Sequence, residues 1–160
     1  MARKMYESAD TLSHEQRCFR IIEKNWECKV SKIPISYAVD VAAEREGRIV
    51  AWIEFKGRKI KLRQYPDIML SVLKYNHGKQ LSKSTGVPFF FVVAFIDGLY
   101  YVRLDDIDPN SLGMKVGGRT KQTRDSADIE PVIHIDNGLF KRLIAKKSGA
   151  KAASKEQVKE

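Results

Sequence analysis

A chain of 160 residues and 18.3 kDa is long enough for one hydrophobic core and too short for two comfortable domains. With 43% hydrophobic and 31% charged residues it falls outside the disordered class, and no run approaches the roughly 20 apolar residues needed to span a bilayer. The 29 basic residues against 20 acidic ones give a formal net charge of +9, which favours a polyanionic partner, nucleic acid ahead of an anionic membrane surface.

The opening stretch "MARKMYESAD" is basic and leads into "TLSHEQ" rather than an apolar core, so no export signal is read and a cytoplasmic location is expected. Residues 1–10 are expected to be a flexible N-terminus, 11–146 a single domain and 147–160 a flexible basic tail. Cys18 and Cys28 form no CxxC pair, and with His14, His77 and His134 scattered they give no zinc-type spacing; reduced, partly buried thiols are expected.

In "SHEQRCFRIIEKNW", Phe19, Ile22 and Trp26 recur at helical spacing, and Ser13 with Gln16 matches the S-x-x-Q capping box. A first helix from about Leu12 to Trp26 is predicted. "YAVDVAAEREGRIVAWIEFK" holds two extended runs about the polar turn "EREG", a hairpin. "PDIMLSVLKYNHGKQLSKSTG" is read as a second helix, with Pro66 in its first turn, Ile68, Val72 and Leu73 along one side and Gly86 as its stop; Gly78 weakens that pattern. "PFFFVVAFI" and "LYYVRL" are strands joined through Asp97 and Gly98. Next, "SLGMKVGGRTKQTRDSADIE" reads as a mobile loop, "PVIHI" as a short strand and "NGLFKRLIAKK" as a final helix. This order predicts an α/β domain, a mixed sheet flanked by helices.

The chemistry concentrates in "WIEFKGRK". Side chains alternate on a strand, so Glu54 and Lys56 share one face while Ile53 and Phe55 take the other. Asp40 interrupts the apolar run "YAVDVAA", where an acid is disfavoured unless its desolvation is offset, and antiparallel pairing across "EREG" brings it towards Glu54. Two neighbouring carboxylates repel; a hard divalent cation such as Mg²⁺, bound through oxygen together with a substrate phosphate, removes the conflict. Lys56 beside them is suited to orient a water or to stabilise charge developing on phosphate.

Asp40, then Glu54, Phe55 and Lys56 resemble the D…(D/E)-x-K signature of the PD-(D/E)xK, restriction-endonuclease-like nuclease superfamily, over roughly residues 10 to 105. The stretches "SYAVDVAAEREGRIVAWIEFK", "HGKQL" and "PFFFVVAF" look most like small Holliday-junction resolvases of the RecU and archaeal type. The resemblance implies an αβββαβ core and a metal-dependent deoxyribonuclease, with Mg²⁺ as cofactor and Mn²⁺ able to replace it. It implies that Asp40, Glu54 and the Phe55 carbonyl hold the metal, that Lys56 assists the attacking water, and that a further acid comes from the first helix, best matched by Glu15 with Glu23 behind it. It also implies DNA, branched for a resolvase, as partner, no membrane, a homodimer, and the cytoplasm of a bacterial or phage-infected cell.

Each residue has a plainer reading. Glu15 suits a helix N-terminus by itself, and an isolated E-x-K is common on exposed strands; Asp40 and the order of elements raise the weight of the triplet. Gln80, on the second helix, occupies a place where relatives present a polar residue, and Lys79 and Lys83 are positioned to touch phosphate, although such side chains are usually solvated. His77 is not needed as a base by a metal-activated water. Arg58, Lys59, Lys61 and Arg63 follow the triplet, and Arg119, Lys121 and Arg124 form a second basic cluster; without a base-reading motif they point to backbone contact. The expectation is a junction-selective DNA endonuclease. A linear-duplex endonuclease, an RNA-processing nuclease and a non-catalytic nucleic-acid-binding protein on the same fold are the alternatives.

Overall fold

A computed structural model describes residues 9–118 and 129–144. The chain runs α1 (Ala9–Trp26), β1 (Lys29–Lys32), β2 (Val41–Arg45), β3 (Arg48–Gly57), β4 (Asp67–Ser71), α2 (Val72–Thr85), β5 (Phe89–Phe95), β6 (Gly98–Arg103), β7 (Gly113–Gly118), β8 (Ile129–Asp136) and β9 (Lys141–Leu143). Strands β1-β2-β3-β5-β6-β9, in that order, make a six-stranded sheet that is antiparallel except for the parallel β3–β5 pair; β4-β8-β7 make a separate three-stranded sheet. The fold is the expected restriction-endonuclease-like one, a mixed central sheet with helices on its faces.

Local chemistry fixes the elements that frame the site. The β2–β3 hairpin closes through Glu46 and Gly47, both at positive φ (52° and 76°), the backbone of a tight two-residue turn whose twist suits the strands. Helix α2 ends where Gly86 turns left-handed (φ 71°) and its N–H donates to Ser82 O at 2.8 Å. Gly78 has a packing reason: a Cβ there would lie 2.2 Å from the Phe89 ring, so this face of α2 is pressed onto β5.

The sheet has two differently furnished faces. On one, α1 packs Cys18, Ile22 and Trp26 against Val41, Ala43, Ala51, Ile53, Phe90 and Val92. Burial pushes both cysteine thiols up to about 11, so they stay protonated and inert. On the other face, Ala42, Trp52, Phe89, Phe91 and Val93 pack against Tyr75 of α2 and against Ile68, Leu70, Ile133 and Ile135 of the small sheet.

Four expectations need correction. Helix α1 already runs from Ala9, so Ser13 is interior and accepts from Arg17 instead of capping. Asp67–Ser71 is a strand, because Ile68 and Leu70 alternate inward while the backbone pairs with β8, and the second helix begins only at Val72. Part of the expected loop is β7, paired with β8 along its length. The expected final helix is a single 3-10 turn, Asn137–Leu139, held by Gly138 N donating to Asp136 Oδ1 at 2.8 Å, followed by β9, which closes the edge of β6. The expected tail and the cluster Arg119, Lys121 and Arg124 lie outside the described residues.

Candidate active site

Strand alternation places Trp52, Glu54, Lys56 and Arg58 towards α2, and Ile53 and Phe55 towards α1. Val41 pairs with Ile53, so the next step of the register sets Asp40, at the mouth of β2, beside Glu54. Asp40 is anchored by its own backbone: its carbonyl accepts from Ile33 N at 3.1 Å, and its Oδ2 accepts from Phe55 N at 3.2 Å. The two acids and the lysine predicted from sequence therefore share one face at one end of the β2–β3 hairpin.

Glu54 is only 1% exposed. Its pKa is pushed up from its ordinary 4.5 to about 8, chiefly by burial and then by the neighbouring Asp40 carboxylate, against the opposing pull of Lys74. Lys74 Nζ, from the first turn of α2, donates to Glu54 Oε2 at 2.7 Å. Among the described residues, Glu54 Oε1 is buried with no hydrogen-bond donor beside it. A carboxylate oxygen left dry in this way is costly unless something electropositive meets it. Lys56 is lowered to about 8, mainly by burial, then by Arg58 and Lys74; Glu54 and Glu130 favour its charged form. Glu130, on β8, also accepts from Ser71 Oγ at 3.1 Å.

Two close carboxylates, one with an unmet oxygen, form a hard oxygen donor set of the type that suits Mg²⁺ or Mn²⁺. Glu15 stands apart from it. Among the described residues no three acids, histidines or cysteines group closely enough to hold a metal, and the Glu15 carboxylate is paired with Lys32 Nζ at 2.8 Å. Glu23 accepts from Val30 N at 2.9 Å and ties α1 to β1.

On α2, Gln80 and Lys83 are exposed, while Lys79 donates to Asp105 O and lies 5.7 Å over the Tyr75 ring. The α2 residue that reaches the site is Lys74, which sequence reasoning passed over. A signal for it existed: Gly78 marks the face pressed against the sheet, Lys74 lies one turn earlier on that face, and Gln80 lies well round from it. Glu130 had no such signal, since β8 reaches the site from the far end of the chain. Arg58 stays close, its Nη2 donating to Met69 O at 3.4 Å, while Lys59, Lys61 and Arg63 line the exposed path beyond β3.

A family profile described as "Phage putative PDDEXK endonuclease" matches residues 1–143. Among solved structures, a Holliday junction resolvase, Hjc, from Archaeoglobus fulgidus superposes with a TM-score of 0.55 at 13% identity, covering 84% of this chain and 93% of that one. D212, a nuclease from a fusselovirus, gives a TM-score of 0.45 at 12% identity, covering 88% of this chain and 91% of that one. No curated protein sequence matches. Among the described residues no helix is long and apolar enough to cross a membrane.

Proposed function

Because the chain belongs to the phage PDDEXK endonuclease family, we propose that it is a divalent-metal-dependent DNA endonuclease whose reaction centre is Asp40, Glu54 and Lys56. The observation that carries this reading is the buried Glu54 carboxyl, set against Asp40 on the face that also carries Lys56.

Asp40, Glu54 and the Phe55 carbonyl would hold the ion, Mg²⁺ or Mn²⁺. When bound, it would supply Lewis acidity towards the phosphodiester and a more acidic water. The chain's own groups do the rest. Asp40 is oriented by the Phe55 N–H, so its carboxylate is fixed before substrate arrives. Lys56 Nζ, depressed to about 8, exchanges a proton near neutral pH and donates hydrogen bonds to an attacking water or a phosphate oxygen. Lys74 balances the charge on Glu54 in the absence of ligand. Arg58, Lys59, Lys61 and Arg63 continue along the same edge as a cationic track for the DNA backbone, supported by the net charge of +9.

The preferred substrate is branched DNA such as a four-way junction, cut by a symmetric dimer that offers one site to each of two strands. The resemblance to small resolvases in sequence pattern supports this. The test is cleavage of junction, flap, single-stranded and duplex DNA of one sequence in Mg²⁺, with the Asp40→Ala variant alongside. Faster cutting of the junction and an inactive variant are expected. Equal cutting of all four removes the junction preference, and an Asp40→Ala protein that cuts at the wild-type rate removes the reaction centre.

A further inference from the structure

Beyond the carboxylate site lies a cavity of about 490 Å³, between the end of β3 and the start of β4. Its size falls in the range of small-molecule sites, ~300–1,000 Å³. It adjoins the reaction centre, because Arg58 belongs to both: it lies just past the end of β3, close enough to act on the charge of Lys56, and it lines the cavity wall. We propose that this cavity receives one nucleobase, turned out of the stack of the bound DNA beside the scissile phosphate.

Three features of the lining match that ligand and no simpler one. The first is flat apolar surface: Tyr65 is 52% exposed and, among the described residues, makes no ring contact, so its face is available, with Pro66 and Met69 forming further apolar wall. Stacking on an aromatic side chain tolerates any base, because every base has a flat π-face. The second is a polar pair, Asp67 and His134, diagonal neighbours across the β4–β8 pairing, with Oδ1 and Nδ1 2.8 Å apart. With Nδ1 and Oδ1 engaged with each other, Asp67 Oδ2 and His134 Nε2 remain to meet the polar edge of a base. The third is charge: Arg58 and Lys59 stand at the same cavity and suit the phosphates on either side of a displaced nucleotide. An apolar ligand would make no use of the polar Asp67–His134 edge or of Lys59, and a bare phosphate would make no use of the ring and the apolar wall.

This inference rests on the DNA endonuclease reading and deepens it. Turning a base out of an intact duplex breaks its stacking and pairing, and is easiest where the base is already unpaired or strained. A pocket that must be filled before the phosphate is aligned would therefore favour branch points over regular duplex without any sequence-reading contact.

The test uses the full chain with Asp40→Ala, which should bind DNA without cutting it, and four-way junctions carrying a single 2-aminopurine at successive positions around the wild-type cleavage point. Emission should rise several-fold at one position on binding, and the added Tyr65→Ala change, at an exposed side chain, should reduce that rise at least threefold while anisotropy still reports a complex. Binding with no rise at any position overturns the pocket while the endonuclease reading stands. A rise that Tyr65→Ala and Asp67→Asn both leave intact sends the base elsewhere and also overturns it. A wild-type protein that neither binds nor cuts DNA would overturn both.

Discussion

Ile53 and Glu54 are neighbours on β3, 0% and 1% exposed, yet one is surrounded by hydrocarbon and the other by charge. On the α1 face the buried polar group Asn25 has both side-chain N–H groups occupied, Nδ2 donating to Ile21 O and Ile144 O, both at 2.8 Å. On the α2 face Glu54 Oε1, Tyr75 Oη and His77 Nδ1 are all buried with no hydrogen-bond donor or acceptor to meet them among the described residues. Native interiors rarely leave such groups unmet. The first face is arranged for stability; the second holds uncompensated polarity of the kind that collects where a ligand is to be received.

That contrast is sharpest in kinetics. Asp40→Ala, Glu54→Ala or Lys56→Ala should each lower phosphodiester cleavage by at least about 10³-fold, the scale of removing a member of a reaction centre. DNA affinity should persist, and for the two acids it should rise, since a negative charge facing phosphate is removed. Filter binding beside single-turnover cleavage checks both halves. A variant with cleavage intact would make the α2 face structural after all.

In stability the order reverses. Ile53→Ala opens a cavity on the α1 face and should cost about 2–5 kcal/mol in urea unfolding, with the cleavage rate of the still-folded fraction unchanged. Glu54→Gln should remove a penalty instead. With its pKa raised from 4.5 to about 8, folded Glu54 keeps a proton that the unfolded chain releases. Its contribution is therefore complete below about pH 4.5 and is lost as pH climbs to about 8, at up to ~1.4 kcal/mol per pH unit. Lys56, lowered from 10.5 to about 8, works in the opposite sense: its contribution is complete above about pH 10.5 and is lost as pH falls towards 8. The metal-free protein should accordingly be least stable near pH 8. Thermal unfolding in EDTA across pH 5–10 should show this minimum, and Glu54→Gln should flatten its acid side. An unchanged slope would mean that Glu54 titrates normally.

Lys74 sharpens the comparison further. Its ion pair is the main compensation for Glu54 in the unliganded site, yet its side chain is 37% exposed against 2% for that of Glu54. Lys74→Met should destabilise the metal-free protein at pH 8 by roughly 1–3 kcal/mol, less than a fully buried pair would lose. In the Glu54→Gln background the same change should cost almost nothing, because no charge remains to balance. A double-mutant cycle with no coupling would dissociate the two side chains.

How legible this was in the sequence depended on whether the deciding contact was local. Helix α1, the β2–β3 hairpin and the β5–β6 hairpin announce themselves through periodicity and two-residue turns, and Asp40, Glu54 and Lys56 lie on that locally specified hairpin. Asp67–Ser71 and Lys141–Leu143 were misread because their strand character comes from partners far along the chain: β4 pairs with β8, and β9 pairs with β6. The same holds within the site, where Lys74 is placed by a helix docking that only the glycine at 78 betrays, and Glu130 by a sheet that closes late in the chain.

Glu15 gives the smallest expected effect and the finest test of the two faces. It belongs to α1, the helix of the hydrocarbon face, and its carboxylate is engaged by Lys32, a pair with one partner 44% exposed and hence of modest energy. Glu15→Gln should therefore lower cleavage by less than about tenfold and leave stability nearly unchanged, with Lys32→Gln reproducing whatever change is seen. If instead Glu15→Gln matched the loss from Asp40→Ala while Lys32→Gln remained active, Glu15 would leave Lys32 to join Asp40 and Glu54 when the ligand arrives. The acid of the first helix would then act across the edge of the sheet, and the division between a face for stability and a face for chemistry would hold only in the unliganded protein.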